Sequence, residues 1–193
     1  MTTLDKPLRA DARRNREKVL AAARAVFAQQ GVDAQMDDVA RHADVGVGTV
    51  YRHFPTKEAL LSALHDEHFA VVAVYVRNLL TLDDPWEAFS RALWFGAEKT
   101  VGDRAFSEVL TAYPPRTCPG KEDLLVTIGE LMDRCKAAGV MRQDAMVEDI
   151  GLLMCGIGNA SHMEHPVPDA WRRHLAIVLD GLRAECATGT LHT

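Results

Sequence analysis

Thr49, Arg52 and His53 fall within nine residues of Lys57 in the stretch MDDVARHADVGVGTVYRHFPTK, which runs from Met36 to Lys57. Hydroxyl, guanidinium and imidazole groups donate hydrogen bonds, and at helical spacing Thr49, Arg52 and His53 line one side of a turn or two of helix. Val50 and Phe54 stand four apart on the opposite side, so that side is buried and the donors reach outward. A short helix that offers donors from a fixed apolar base suits an acceptor-rich, anionic surface, and the phosphates and base edges of a nucleic acid are one. No glycine-rich phosphate loop, nucleophile elbow or pair of catalytic carboxylates accompanies them.

Three elements must position those donors. Upstream, Val39, Ala40 and Ala43 mark a face of a short helix whose first turn carries Asp37 and Asp38, which suit the positive end of the helix dipole. Asp44 falls where the chain must turn sharply, a place that glycine fills most cheaply and Asp or Asn fills at some cost. The donor helix then begins near Val47. Pro55 ends it, and Thr56 caps a long helix to about Leu80, with Leu61, Leu64, His68, Val71, Val72 and Tyr75 on one face. Before all of these a helix runs to about Gln30 on the stripe Val19, Leu20, Ala23, Val26 and Phe27, and Gly31 stops it. Two short helices joined by a tight turn make a helix-turn-helix.

The segment DVARHADVGVGTVYRHFPTKEALL resembles the DNA-binding segment of the TetR family of bacterial transcriptional regulators, over roughly residues 13 to 64. The resemblance implies phosphate contacts at Thr49 and Lys57, and contacts to the backbone or adjacent base edges at Tyr51 and His53. It places Val47, Gly48 and Arg52 toward the major groove, where arginine can donate to guanine O6 and N7 and valine can meet a thymine methyl. Gln35, where the family often begins the preceding helix with Ser or Thr, joins this DNA-binding set. The chain departs from the common pattern with Asp44 for Gly and Gly46 for Ser or Thr. Each glycine at 46 and 48 weakens the recognition helix by roughly 1 kcal/mol if it lies inside it.

The chain has 193 residues and a net charge of −5, enough length for one sizeable domain or two small ones. Residues 1 to 57 hold 10 Lys and Arg against 7 Asp and Glu, and the remainder holds 12 against 20. This asymmetry favours a localised basic face, extended by Arg13, Arg14, Arg16 and Lys18, over a general nucleic-acid coat. Cys118, Cys135, Cys155 and Cys186 form no C-x-x-C pair and read as reduced and mostly buried. With no signal-peptide pattern and no long apolar run, a soluble cytoplasmic protein is expected. Residues 1–9 read as a disordered lead, 10–57 as the helix-turn-helix domain, and 58–193 as an effector-binding and dimerisation domain.

That second part reads as all-α. Helices are expected from Trp86 to about Lys99 after the Asp83-Asp84-Pro85 start signal, from Asp103 to about Ala112, and from Glu122 to Ala138. Two more span Asp144 to Ser161 and Pro168 to Glu185, and Tyr113 to Gly120 is the clearest loop. Ile150, Leu152, Leu153, Met154, Cys155 and Ile157 wrap around the first of the last two helices, and Trp171, Leu175, Val178, Leu179 and Leu182 with Ile177 on another side mark the second; this calls for a partner or a thick monomeric core, and the resemblance implies a four-helix homodimer interface there. The pairs His65/His68 and His162/His165 have metal-like spacing but no evident further ligand, so no metal or other cofactor is expected. Trp86, Phe89, Trp94, Phe95, Phe106 and Tyr113 are either core or, as the resemblance implies, in part the wall of an effector cavity; His68, Met132, Met154 and Cys155 are candidate neighbours. The resulting expectation is a homodimeric DNA-binding regulator of transcription that is no enzyme, a repressor released from a near-palindromic operator by a small, largely apolar ligand. The alternatives are a regulator without such a ligand, or a helical-bundle enzyme or interaction protein.

Overall fold

The computed structural model of the chain describes residues 5–103, 118–161 and 167–191. The fold is all-α, and these residues divide into two compact units: the chain up to Glu67 with Asp103 and Cys118, and His68 to Gly102 with the chain from Pro119 onward. Among the described residues the sole extended pairing is an isolated bridge between Met141 and Arg183.

The first unit contains α1 (Asp5–Gln30), a 3-10 turn (Gly31–Asp33), α2 (Met36–His42), α3 (Val47–His53) and the beginning of α4 (Lys57–Leu79). Val19, Leu20, Ala23, Val26 and Phe27 of α1 are buried against Val39 and Ala40 of α2, Val50 and Phe54 at α3, and Leu60, Leu61 and Leu64 of α4. Gly31 stops α1 with φ 67°, a conformation that costs glycine little. Helix α1 starts at Asp5, inside the stretch expected to be a disordered lead. Beyond its first turns, ion pairs Arg13–Glu17 and Arg14–Asp11 reinforce it at helical spacing.

In the second unit, Val72, Val76 and Leu79 of α4 share a core with α5 (Pro85–Gly102), α6 (Pro119–Ala137), α7 (Val147–Ser161) and α8 (Ala170–Leu182). Phe89, Leu131, Ile157 and Leu175 lie at its centre. Asp84 starts α5 by accepting from the backbone N–H groups of Trp86 at 2.9 Å and Glu87 at 3.0 Å. Helix α4 is apolar and long enough to cross a bilayer, but nearly half of its most apolar stretch is buried in the fold.

Several boundaries differ from expectation. The end of the expected loop, Pro119 and Gly120, opens α6, since a proline at the first helical position lacks only an N–H that would be unpaired there anyway. Asp144 does not start α7: its carboxylate accepts from Arg142 Nε at 2.6 Å and from the Leu191 N–H at 2.7 Å, and the helix begins at Val147 with Asp149 accepting from the Met146 N–H. Helix α8 is trimmed at both ends, by a left-handed Asp169 and by the bridge that draws Arg183 to Met141. Val71 is 53% exposed and does not join the buried face of α4. Only Cys118 and Cys135 are buried; Cys155 and Cys186 are exposed, contrary to the expectation of mostly buried thiols. The expected helix after Asp103, most of the loop before Cys118, and His162 and His165 lie outside the described residues.

Candidate nucleic-acid interface

Local chemistry accounts for the helix-turn-helix step by step. Asp44 adopts φ 52°, the left-handed conformation that its position requires, and its N–H donates to Arg41 O at 3.3 Å. Val45 then donates to Ala40 O at 3.1 Å, closing the turn. Gly46 caps α3 in extended conformation and lies outside the helix, so of the two glycines only Gly48 weakens it. Neither meets another group within 4 Å of where a Cβ would stand.

Val50 is fully buried and Phe54 3% exposed, which anchors the inner side of α3. On the outer side Val47 is 43% and Tyr51 47% exposed, Gly48 and Arg52 are also exposed, and Thr49 and His53 are half-buried. Arg52 has no ion pair among the described residues. An exposed arginine with no ion pair beside an exposed tyrosine leaves hydrogen-bond donors open to an external acceptor. Burial of Phe54 holds this surface in place, and truncating such a ring costs about 3–5 kcal/mol.

At the start of α4, Thr56 Oγ1 accepts from the Ala59 N–H at 3.2 Å. Glu58 accepts a backbone hydrogen bond that holds its carboxyl below the usual value, with the Thr56 hydroxyl acting in the same direction. The first turn of α4 thus carries a fixed negative charge next to Lys57 and is not a bare anion site. The Lys57 ammonium lies 5.8 Å from the centroid of the buried Phe27 ring, which limits where it can point. Gln35 caps α2; its N–H donates to Asp38 Oδ2 at 3.1 Å and its Nε2 to Asp33 O at 2.6 Å, so its amide is engaged within the turn. Asp38 also pairs with Arg41 at 3.1 Å.

The second unit distributes the other candidate residues differently. Phe89 and Met132 are buried, and Trp86, Trp94 and Met154 pack on the same core partly exposed. Trp86 lies 5.8 Å from Phe89 and beneath the Arg183 guanidinium, whereas Trp94 contacts Trp171 at 6.0 Å. Eight residues separate Trp86 from Trp94, about 12 Å along a helix. His68 is 8% exposed and its neighbour His65 is 1% exposed. Cys155 is on the exposed side of α7 and not in the buried core, because it lies three residues, nearly one turn, from Leu152, which is 75% exposed. Phe106 lies outside the described residues. Among the described residues no group of three or more His, Cys, Asp or Glu side chains is arranged to hold a metal ion.

Sequence reasoning missed two arrangements. Arg16 of α1 is stacked over Phe54, with Cζ 5.3 Å from the ring centroid. Arg142 grips Asp144 through two nitrogens and also donates to Gly181 O and Gly189 O. Both join residues far apart in the chain, and no local pattern marks them.

Comparison with known proteins yields two family matches. The family of bacterial regulatory proteins of the tetR type matches residues 19–64, and the C-terminal domain of SbtR-like transcriptional regulators matches residues 86–184. A TetR transcriptional regulator of known structure from Streptomyces coelicolor is 34% identical, with a TM-score of 0.59 over 87% of this chain and 98% of that one. Among curated proteins, the uncharacterized HTH-type transcriptional regulator TtgW of Pseudomonas putida is 34% identical over 102 residues, 52% of this chain and 75% of its own length. The HTH-type transcriptional repressor KstR of Mycolicibacterium smegmatis is 42% identical over 77 residues, 39% of this chain and 38% of its own.

Proposed function

Because this chain belongs to the TetR family of helix-turn-helix transcriptional regulators, we propose that it is a homodimeric repressor that a small, largely apolar molecule releases from a near-palindromic operator. The observation that carries the DNA contact is the outer side of α3, where Val47, Gly48, Tyr51 and Arg52 are exposed and Arg52 has no ion pair among the described residues. Thr49, His53 and Lys57 add phosphate donors around it, and Gln35 supports the contact from the start of α2. The head comprises residues 10–57 and acts in the cytoplasm, where its DNA is.

Support for the homodimer comes from the last two helices. Leu152 of α7 is 75% exposed and Ile177 of α8 is 68% exposed, large apolar side chains whose cover would come from a second copy. A two-fold protein reads a two-fold operator, because one recognition helix covers too few base pairs for specificity. The body, residues 58–193, would take the ligand among Phe89, Trp94, Met132 and Met154, with Trp86 and His68 as further candidates. A ligand with higher affinity for a body shape in which the heads no longer match successive major grooves would release DNA by that difference alone.

The test combines light scattering on the full chain with selection of duplexes from a random-sequence pool. A dimer that recovers one near-palindromic sequence, with log affinity falling linearly in log salt, is expected. A monomer, or recovery of no preferred sequence, overturns the reading; a broad screen of apolar compounds without DNA release removes the ligand alone.

A further inference from the structure

We propose that Arg16 is a DNA-phosphate contact, held in readiness by the Phe54 ring at the C-terminal end of the recognition helix. The inference rests on the DNA-binding reading above. The basic residues of α1 are not equivalent. Arg13 Nε lies 3.7 Å from Glu17 and Arg14 pairs with Asp11, so both charges are offset within the helix surface. Arg16 is exposed and has no carboxylate partner among the described residues; its guanidinium instead stacks on Phe54, the residue that caps α3.

Phe54 is 3% exposed and belongs to the core of the first unit, so its ring is a fixed platform. The Arg16 guanidinium lies over the ring while the residue stays exposed, and its planar fork of donors matches a phosphate. The position also favours a cation, because the C-terminal carbonyls of α3 carry partial negative charge. Lys57, three residues after Phe54, is restrained in a parallel way over Phe27, another buried ring of the same core. Two cations, each seated on a buried phenylalanine, thus occur at the junction of α3 and α4. Restraint lowers the entropy lost when each meets a phosphate, and a pair of seated cations would fix how deeply the C-terminal end of α3 enters the groove.

The experiment measures affinity by fluorescence anisotropy between 50 and 200 mM KCl, on a duplex that the wild-type protein selects from a random-sequence pool. Arg16→Gln is expected to reduce the magnitude of the log–log salt slope by about 0.9 and to weaken binding about eightfold at 0.1 M salt, the signature of one lost phosphate contact. Arg16→Lys keeps the slope because it keeps the charge, and Arg13→Gln leaves it near wild type. If Arg16→Gln weakens binding with an unchanged slope, Arg16 serves only to pack on Phe54 and the inference is wrong. An equal loss of slope in Arg13→Gln overturns the assignment to Arg16. Failure of the wild-type protein to select any duplex overturns both this inference and the DNA-binding reading, so the two failures are distinguishable.

Discussion

Gly48→Ala is expected to make the recognition helix more stable and DNA binding weaker. Gly48 is the second residue of α3, its φ is not in the left-handed region, and a Cβ built on it meets nothing within 4 Å. The protein therefore has no internal reason to place glycine there, although glycine in a helix costs about 0.5–1 kcal/mol relative to alanine. Alanine should recover that amount. Amide hydrogen exchange along α3 would then slow by about two- to fivefold, since 1.4 kcal/mol is a factor of ten. Toward DNA the sign reverses if this turn faces the groove as proposed, because an added methyl there would hold the backbone away from the base edges. Loss of one bidentate base contact costs about 1–3 kcal/mol, roughly five- to 150-fold in affinity. Exchange by mass spectrometry and anisotropy with a selected duplex read the two effects separately. Slower exchange with unchanged DNA affinity would refute the close-approach argument, and faster exchange would refute the helix argument.

Other expectations follow from single contacts. Asp44→Gly should stabilise the first unit and Asp44→Ala destabilise it, differing by about 1–2 kcal/mol in urea denaturation, because φ 52° is costly for alanine and free for glycine; equal effects would mean the turn relaxes. Tyr51→Ala and Lys57→Ala should weaken binding to every sequence, whereas Arg52→Ala should also relax base preference by about 1–3 kcal/mol in competition assays if its contact is bidentate. A thiol reagent should label Cys155 and Cys186 in dilute chain but spare Cys155 in the proposed dimer, because Cys155 shares its side of α7 with Leu152; buried Cys135, whose thiol is pushed up to about 11 by desolvation, should stay unlabelled throughout. The hydrogen bonds from Arg142, with that from the Leu191 N–H, hold the Asp144 carboxyl well below the usual carboxylate range. The folded chain then gives up this proton more readily than the unfolded one, and the stabilisation is complete above the ordinary aspartate value of about 4 and is lost as pH falls below it. Asp144→Asn should be less stable at pH 7, and its deficit should narrow in acid; a deficit independent of pH would assign the effect to shape alone.

Local interactions made the head legible in the sequence. The left-handed turn at Asp44, the cap at Thr56, the buried pair Val50 and Phe54 and the start of α3 near Val47 all arise within a few residues, where periodicity and turn chemistry act directly. The same holds for Asp84 at the start of α5. Where distant groups compete for a backbone or a side chain, the tertiary structure decided. Arg142 and Leu191 take Asp144 away from α7, Met141 draws Arg183 out of α8, and Phe54 seats Arg16 across 38 positions of chain. Exposure of Val71 and Cys155 was likewise invisible to a helical wheel, which locates a face but not what packs on it. The sequence by itself thus determined the elements and the outward donors of α3, because these depend on neighbours in the chain. Only the tertiary structure decided which cations are free and which helices stop early, because those outcomes depend on partners that the chain brings together by folding.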